Sequence, residues 1–398
     1  VDFSDLDFSA QEYAERLTGV RDRMSAQGLS ALLIADPANI NYLTGYNAWS
    51  FYTPQILFVP AEGDMLFFAR EMDARPGFRT SWMPMDQIIG YPERYIHRPH
   101  IHPFDWVSFM LRERGVVAEC ADGYIGMEMD AHFFSPKGYR AFVNAIPEWD
   151  FVDCYELVNW VRLIKSDREI ELMRKAATVA TAAMSVALDV IRPGARQCDV
   201  VGEVSRAQIS GTEEVGGDYP AIVPMMPTGE ASDAPHLTWT EDRFEEGQAV
   251  VLELAGAYKR YHTPLARSVI LGQPSDELVR VSSTADEGIN AVMDAIKPGL
   301  PVRELARIWN EVLWAQGLEK PSRLGYSIGL GYPPDWGERT VSIRTEDDTI
   351  LEENMTFHLI GGMWMKGYGY ELSEPFRVSA NGVEAFTSFP RQLKQIRS

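Results

Sequence analysis

Residues 250–272 read VVLELAGAYKRYHTPLARSVILG. Two long apolar runs flank a polar middle, the outline of a β-hairpin. Glu253 stands inside the first run, and its neighbours VVLELAG are too apolar for a strand that turns one face to water. A carboxylate in that setting is expected to be paired or functional, since an ionised group is costly to bury otherwise.

The surrounding chain has 398 residues, more than one hydrophobic core ordinarily serves, so two domains of unequal size are expected. Apolar residues at 45% and charged residues at 24% describe an ordinary globular protein. The formal charge of −20 argues against nucleic acid or anionic membrane as a partner and favours solubility. Cys120, Cys154 and Cys198 are an odd, widely spaced set with no CxxC, which fits a reducing compartment and reads as three buried thiols. The opening VDFSDLDFSAQEYAERL is acidic and amphipathic, with no basic segment leading into an apolar one. No apolar run approaches the ~18 residues of a membrane span, and a cytoplasmic location is expected.

Residues 1–158 alternate helical and strand-like text, an α/β organisation. Residues 10–27 have helical periodicity, ALLIA (31–35) is a short buried strand, and QILFVP (55–60) and DMLFFA (64–69) straddle a turn at Glu62-Gly63. A helix near 105–114, the strand YIGMEMD and a helix opened by Ser135-Pro136 follow. From 159 to 398 the text changes. A long helix is expected from about Asp167 to Ile191, capped by Ser166 or Asp167, with Glu169 and Glu171 in its first turn and Arg192-Pro193-Gly194 as its stop. ALDVIRPGARQCDV (187–200) and VMDAIKPGLPVREL (292–305) then repeat at an offset of 105 residues. Each copy is helix, Pro-Gly stop, helix, and each is followed by strand-like text. That duplication predicts a pseudo-symmetric α+β domain with helices over one face of a curved antiparallel sheet.

With these pieces in place, VRLIKSDREIELMRKAA and ADPANINYLTGYN make the chain resemble the creatinase and methionine-aminopeptidase superfamily. The resemblance implies an α/β creatinase-type N-terminal domain over 1–158 and a pita-bread catalytic domain over 159–398, a fold with pseudo-two-fold duplication and a curved antiparallel sheet. Metal-dependent relatives carry a hairpin D-x-G-x5-Y-x2-D-x-T-R whose aspartates bridge two cations. Here the first aspartate position is Glu253, the second is Pro264, and the arginine is kept as Arg267. The histidine of a G-H-G-x-G segment becomes Tyr326, the second histidine position is Pro333, and a glutamate position becomes Ile360. Glu374 is matched to the last carboxylate. Pro, Tyr and Ile offer no ligand set for a dinuclear centre, so no metal and no other cofactor is expected. His236 lies seventeen residues before Glu253, close to where relatives keep a catalytic histidine, and the two are expected to face one cavity.

The segments ELAGAYKRYHTPLARS, GYSIGLGYPPDWGERTVSIR and MTFHLIGGMWMKGYGYELSEPFRV are similar to those of the bacterial ectoine hydrolases, which open the cyclic amidine ectoine to N-acetyl-2,4-diaminobutyrate. That likeness implies Glu253 as nucleophile, or as base for the attacking water, and His236 as general acid and base. Glu374 and Glu371 would pair with the amidinium, and aromatic walls from Tyr326, Trp336, Trp49 and Tyr52 would suit a small zwitterion. Arg267 either braces the hairpin or contacts substrate. Relatives with this N-terminal domain pair as homodimers whose N-terminal loops close the neighbour's site, which would place Trp49 and Tyr52 in trans. The prolines in HRPHIHP keep His97, His100 and His102 from converging on a metal, and a loop reaching a partner is the preferred reading. Two other readings stand beside this one: a creatinase-like amidinohydrolase on another guanidinium or amidine, and a non-catalytic binding protein on a decayed peptidase scaffold.

Overall fold

The computed structural model describes residues 6–397; Val1–Asp5 of the acidic opening stretch, and Ser398, lie outside it. The chain's contacts divide it between Arg162 and Leu163, a few residues beyond the expected boundary at 158.

The first unit runs α1 (Ala10–Ala26), β1 (Leu29–Ile34), α2 (Pro37–Thr44), β2 (Ile56–Pro60), β3 (Leu66–Arg70), α3 (Glu71–Ala74), α4 (Gly77–Thr80), β4 (Ile88–Tyr91), α5 (Pro103–Glu113), α6 (Val116–Glu119), β5 (Tyr124–Met127), α7 (Pro136–Ala145), β6 (Asp150–Asp153) and α8 (Leu157–Arg162). Its six-stranded sheet has the order β4-β3-β2-β1-β5-β6, antiparallel at β1–β2 and β2–β3 and parallel elsewhere. A core of Leu33, Phe58, Phe68, Phe104 and Phe142 packs on one face. Ser135 caps α7 ahead of Pro136, as its sequence suggests. The histidine-rich stretch has a structural outcome in part: His102 is buried and caps α5, its Nδ1 accepting from the Phe104 amide at 3.1 Å. Burial holds that imidazole at a pKa of about 4, hence neutral.

The second unit runs α9 (Asp167–Val190), α10 (Gln197–Ser210), β7 (Ala249–Tyr258), β8 (Tyr261–Leu271), α11 (Asp276–Ala295), α12 (Val302–Ala315), β9 (Gly325–Tyr332), β10 (Asp335–Ile343), β11 (Thr356–Ile360), β12 (Met363–Met365), β13 (Tyr368–Tyr370), β14 (Ser373–Ser379), β15 (Gly382–Ala385) and β16 (Lys394–Ile396). Ser166 and Glu169 form a reciprocal capping box at the start of α9. The curved eight-stranded sheet has the path β15-β14-β11-β9-β8-β16, with β10 on β9 and β7 on β8.

The duplication is visible in matched hydrogen bonds. Gly194 and Gly299 turn the two helix stops at φ 86° and 85°, a left-handed backbone that glycine adopts without strain. Their amides donate to Phe244 and Leu351 carbonyls, each at 2.8 Å. Bridges Arg196–Arg243 and Pro301–Ile350 repeat the same crossing. All three cysteines are free; Cys120 and Cys154 are buried, but Cys198 is only partly so, because it rides the first turn of α10 on the side away from the sheet core.

Candidate active site

The hairpin is β7–β8, and its alternation sorts its side chains by face. Leu252, Leu254 and Leu265 enter the core beneath α9 and α10 with Ala183 and Val204. Glu253 and Val251 belong to the opposite face and line a cavity of about 220 Å³. The turn itself is unusual, since Lys259 and Arg260 both adopt positive φ, 51° and 67°, the conformation that ordinarily calls for Asn-Gly. Tertiary contacts hold it: the buried Arg260 guanidinium donates to the carbonyls of Tyr219 (2.5 Å) and Gly331 (2.9 Å) and lies 3.7 Å over the Tyr219 ring.

His236 reaches the same cavity from a loop. Met225 pairs with Glu253 through backbone bonds of 2.9 and 3.0 Å, and the Met226 amide donates to Leu237, so the loop is fastened beside β7. Its preceding turn is tied down where Ser232 Oγ accepts the Gly369 amide at 2.9 Å and Asp233 accepts the Gly367 amide at 3.0 Å. His236 itself is exposed at the cavity edge, with φ 69°. Glu371 and Tyr326, both named from sequence, line the cavity too. Glu371 is fixed by its amide donating to Ser268 Oγ at 2.8 Å.

The carboxyls share a low-dielectric setting. Burial, then the charges of Glu371 and Asp335, push the Glu253 carboxyl well above the ordinary range. Burial raises Glu371 to about 7, with nearby Lys320 pulling the other way. Burial lowers Lys320 to about 8 against the opposing pull of Glu371. Behind Glu253 stands His358, which sequence reasoning passed over. It is fully buried, with Nδ1 4.0 Å from Glu253 Oε1 and 3.3 Å from Tyr326 Oη, and Nε2 2.7 Å from Ser373 Oγ. Burial holds its pKa at about 3, so it is a neutral hydrogen-bonding group.

Three residues expected at the substrate stand elsewhere. Glu374 and Arg267 occupy the far face of the sheet: Ser373 is opposite Ile360 while Glu374 is opposite Leu359, and Arg267 is opposite Leu252 while Ala266 is opposite Glu253. One residue of displacement along a strand exchanges faces. There Arg267 Nη2 donates to Glu374 Oε1 at 2.7 Å and its other donors hold the carbonyls of Ser373, Phe389 and Pro390, so it braces the hairpin. Trp336 is buried outside the lining, its Nε1 donating to Tyr326 Oη at 2.9 Å. Trp49 and Tyr52 are exposed residues of the first unit. Trp364, one of the aromatic residues the sequence offers for the pocket, lines the cavity, and Lys320 and Arg323 line it although they went unnamed from sequence.

A curved sheet under paired helices, entered by a hairpin carboxylate and a loop histidine, defines a hydrolase of pita-bread fold that follows a creatinase-type domain in the chain. The chain belongs to metallopeptidase family M24, whose model matches residues 171–380, and a creatinase/prolidase N-terminal domain matches residues 16–164. It is 43% identical to the ectoine hydrolase of Halomonas elongata over 98% of each chain. To an uncharacterized hydrolase/peptidase of Sinorhizobium fredii it is 40% identical, again over 98% of each. The solved Xaa-Pro dipeptidase from Bacillus anthracis shares the fold at TM-score 0.78 and 22% identity, over 96% of this chain and all of that one.

The family name implies a metal, and the donors here do not fit one. Among the described residues, no three His, Cys, Asp or Glu side chains converge as ligands. Pro264 and Ile360 have no donor atom, the cavity-side partner of Ile360 is the serine Ser373, and Glu374 is held by Arg267 and Arg391 on the other face.

Proposed function

We propose that the protein hydrolyses the cyclic amidine ectoine to N-acetyl-2,4-diaminobutyrate without a metal. The observation that carries this reading is that Glu253 and His236 line one cavity together with Glu371 and Tyr326, in a chain 43% identical to an ectoine hydrolase over nearly its full length. The amidinium ring docks with its charge against Glu253 and Glu371, and that positive charge offsets the burial that otherwise keeps the Glu253 carboxyl protonated, so it ionises as the substrate binds. Glu253 adds through a carboxylate oxygen to the amidine carbon, and protonated His236 gives its proton to the departing ring nitrogen as the C–N bond breaks. His236, now neutral, takes a proton from water, whose oxygen adds to that carbon and displaces Glu253, leaving the acetamide. Neutral His358, its Nδ1 4.0 Å from Glu253 Oε1, and Tyr326 flank that carboxylate as polar neighbours. Absent metal ligands, the positive charge of the substrate itself does what a cation does elsewhere in the family, and the site supplies the counter-charge.

The protein is further read as a cytoplasmic homodimer. Its free cysteines suit a reducing compartment, and Trp49 and Tyr52, 58% and 57% exposed, are large apolar surfaces for a neighbour's site. Incubation of the purified protein with ectoine, creatine and an Xaa-Pro dipeptide, each with and without EDTA, tests the activity. Ectoine alone is expected to be consumed, at a rate EDTA leaves unchanged. Cleavage of the dipeptide restored by a divalent cation, or turnover of creatine instead, overturns the reading.

A further inference from the structure

The cavity carries charges of both signs, and they come from different places. Glu253 and Glu371 belong to the strands and their approach; Lys320 and Arg323 belong to the connection between α12 and β9. That connection is a firm platform. Leu318 and Leu324 are buried, the Leu324 amide donates to Ile343 at 2.8 Å, and the Ile360 amide donates to Leu324 at 2.6 Å. Lys320 Nζ folds back over it, donating to Ser322 Oγ at 2.5 Å and the Arg323 carbonyl at 2.7 Å. Arg323 is laid across the cavity wall with its guanidinium carbon 4.4 Å over the Tyr326 ring and Nη1 3.1 Å from Ser342 Oγ. Among the described residues that is the one hydrogen bond its guanidinium makes, which leaves the rest of a planar five-donor fork uncommitted in a residue that lines both this cavity and the adjoining groove beside Trp309 and Glu346.

A pocket for a bare cation has no use for two cations of its own, since they repel the ligand. A ligand bearing an anion a few bonds from its cation satisfies both walls. We infer that Arg323, supported by Lys320, is the carboxylate-binding element of this site, so that the enzyme selects amidines bearing an adjacent carboxylate. This inference rests on the amidine hydrolysis proposed above. Neither residue is a catalytic group; they orient the ring and set which amidines are accepted.

The test compares ectoine with its decarboxylated ring, 2-methyl-1,4,5,6-tetrahydropyrimidine, on wild type, Arg323→Met, Arg323→Lys and Lys320→Met. Wild type is expected to prefer ectoine in kcat/KM, and Arg323→Met to shrink that preference ~10- to 100-fold, the size of a charge-assisted hydrogen bond. The change should appear in KM more than in kcat, with partial recovery in Arg323→Lys and a smaller effect in Lys320→Met. An equal loss on both compounds marks Arg323 as structural and overturns the inference, as does an unchanged preference. If wild type turns over neither compound, the proposed activity fails by itself. Calorimetric binding of the same two compounds to wild type and Arg323→Met then decides the inference separately: a carboxylate-dependent loss supports it, and equal binding of both compounds overturns it.

Discussion

Glu253 is a carboxyl placed where a negative charge is expensive. Its raised pKa and that of Glu371, about 7, lie above those of the unfolded chain, so folding retains protons that unfolding releases. Each contribution to stability is fully present below the ordinary carboxyl value and is lost as pH rises through that group's raised pKa, about 7 for Glu371. Glu253→Gln keeps the shape and removes the charge. It is expected to lose ~10²- to 10⁴-fold in kcat, yet to unfold at a higher temperature than wild type at pH 8, with the difference shrinking toward acid pH. Scanning calorimetry across that range checks it, and a variant less stable than wild type at pH 8 sinks the account. How far these roles were legible depends on the residue. Glu253 announced itself because no exposed strand reads VVLELAG. His358 gave a signal that needed only alternation: once Ile360 is placed toward the cavity, the residue two before it shares its face. Glu374 misled because a carboxylate next to a proline looks like a ligand in any register, while the pairing of Ser373 with Ile360, which turns Glu374 away, exists only in the folded sheet.

At the scale of elements, α9 lies directly on the hairpin through a stripe of small residues. A methyl group at Gly256 would collide with the Ala176 carbonyl and the Ala180 amide of α9, so the glycine sets how closely strand and helix approach. Gly256→Ala is expected to destabilise by ~1–3 kcal/mol through overpacking, read as a lower urea midpoint, with activity falling as the hairpin shifts. An unchanged midpoint counts against this packing. The helices and their Pro-Gly stops were readable because each carries local chemistry: the Ser166 cap, the acidic first turn, the left-handed glycine. The Lys259-Arg260 turn was not, because its two positive φ angles are sustained by Tyr219 and Gly331, distant in sequence. The strand text MTFHLIGGMWM likewise breaks at Gly361-Gly362, and its second part, β12, pairs with β13 as a separate two-stranded ribbon. The Gly-Gly pair is a local sign of the break, but the pairing of β12 with β13 rather than with the main sheet has no local sign.

At the scale of the whole molecule, the two-domain division and the duplicated half were legible from length and from the 105-residue repeat, while assembly rests on exposed aromatics alone. If Trp49 and Tyr52 complete a neighbour's site, a chain lacking both (Trp49→Ala, Tyr52→Ala) and a Glu253→Gln chain are each impaired, but coexpressed mixed dimers recover one competent site. Mixed dimers with no recovered activity sink the trans arrangement. The duplication has one more consequence. The interval that carries Arg243 onto Ile350 in the matched crossings also carries Glu253 onto Ile360, so a carboxylate in one half answers an inert hydrocarbon in the other. A site with equivalent halves would hold a ring either way round. Here the two sides of the cavity are unlike in charge, and if the proposed chemistry holds, a head-to-tail zwitterion would enter in one orientation and present the same ring nitrogen to His236 at every turnover. On the proposed chemistry, the broken symmetry of an ancient doubling dictates regiochemistry: the acetyl group stays on one nitrogen of the product and never on the other.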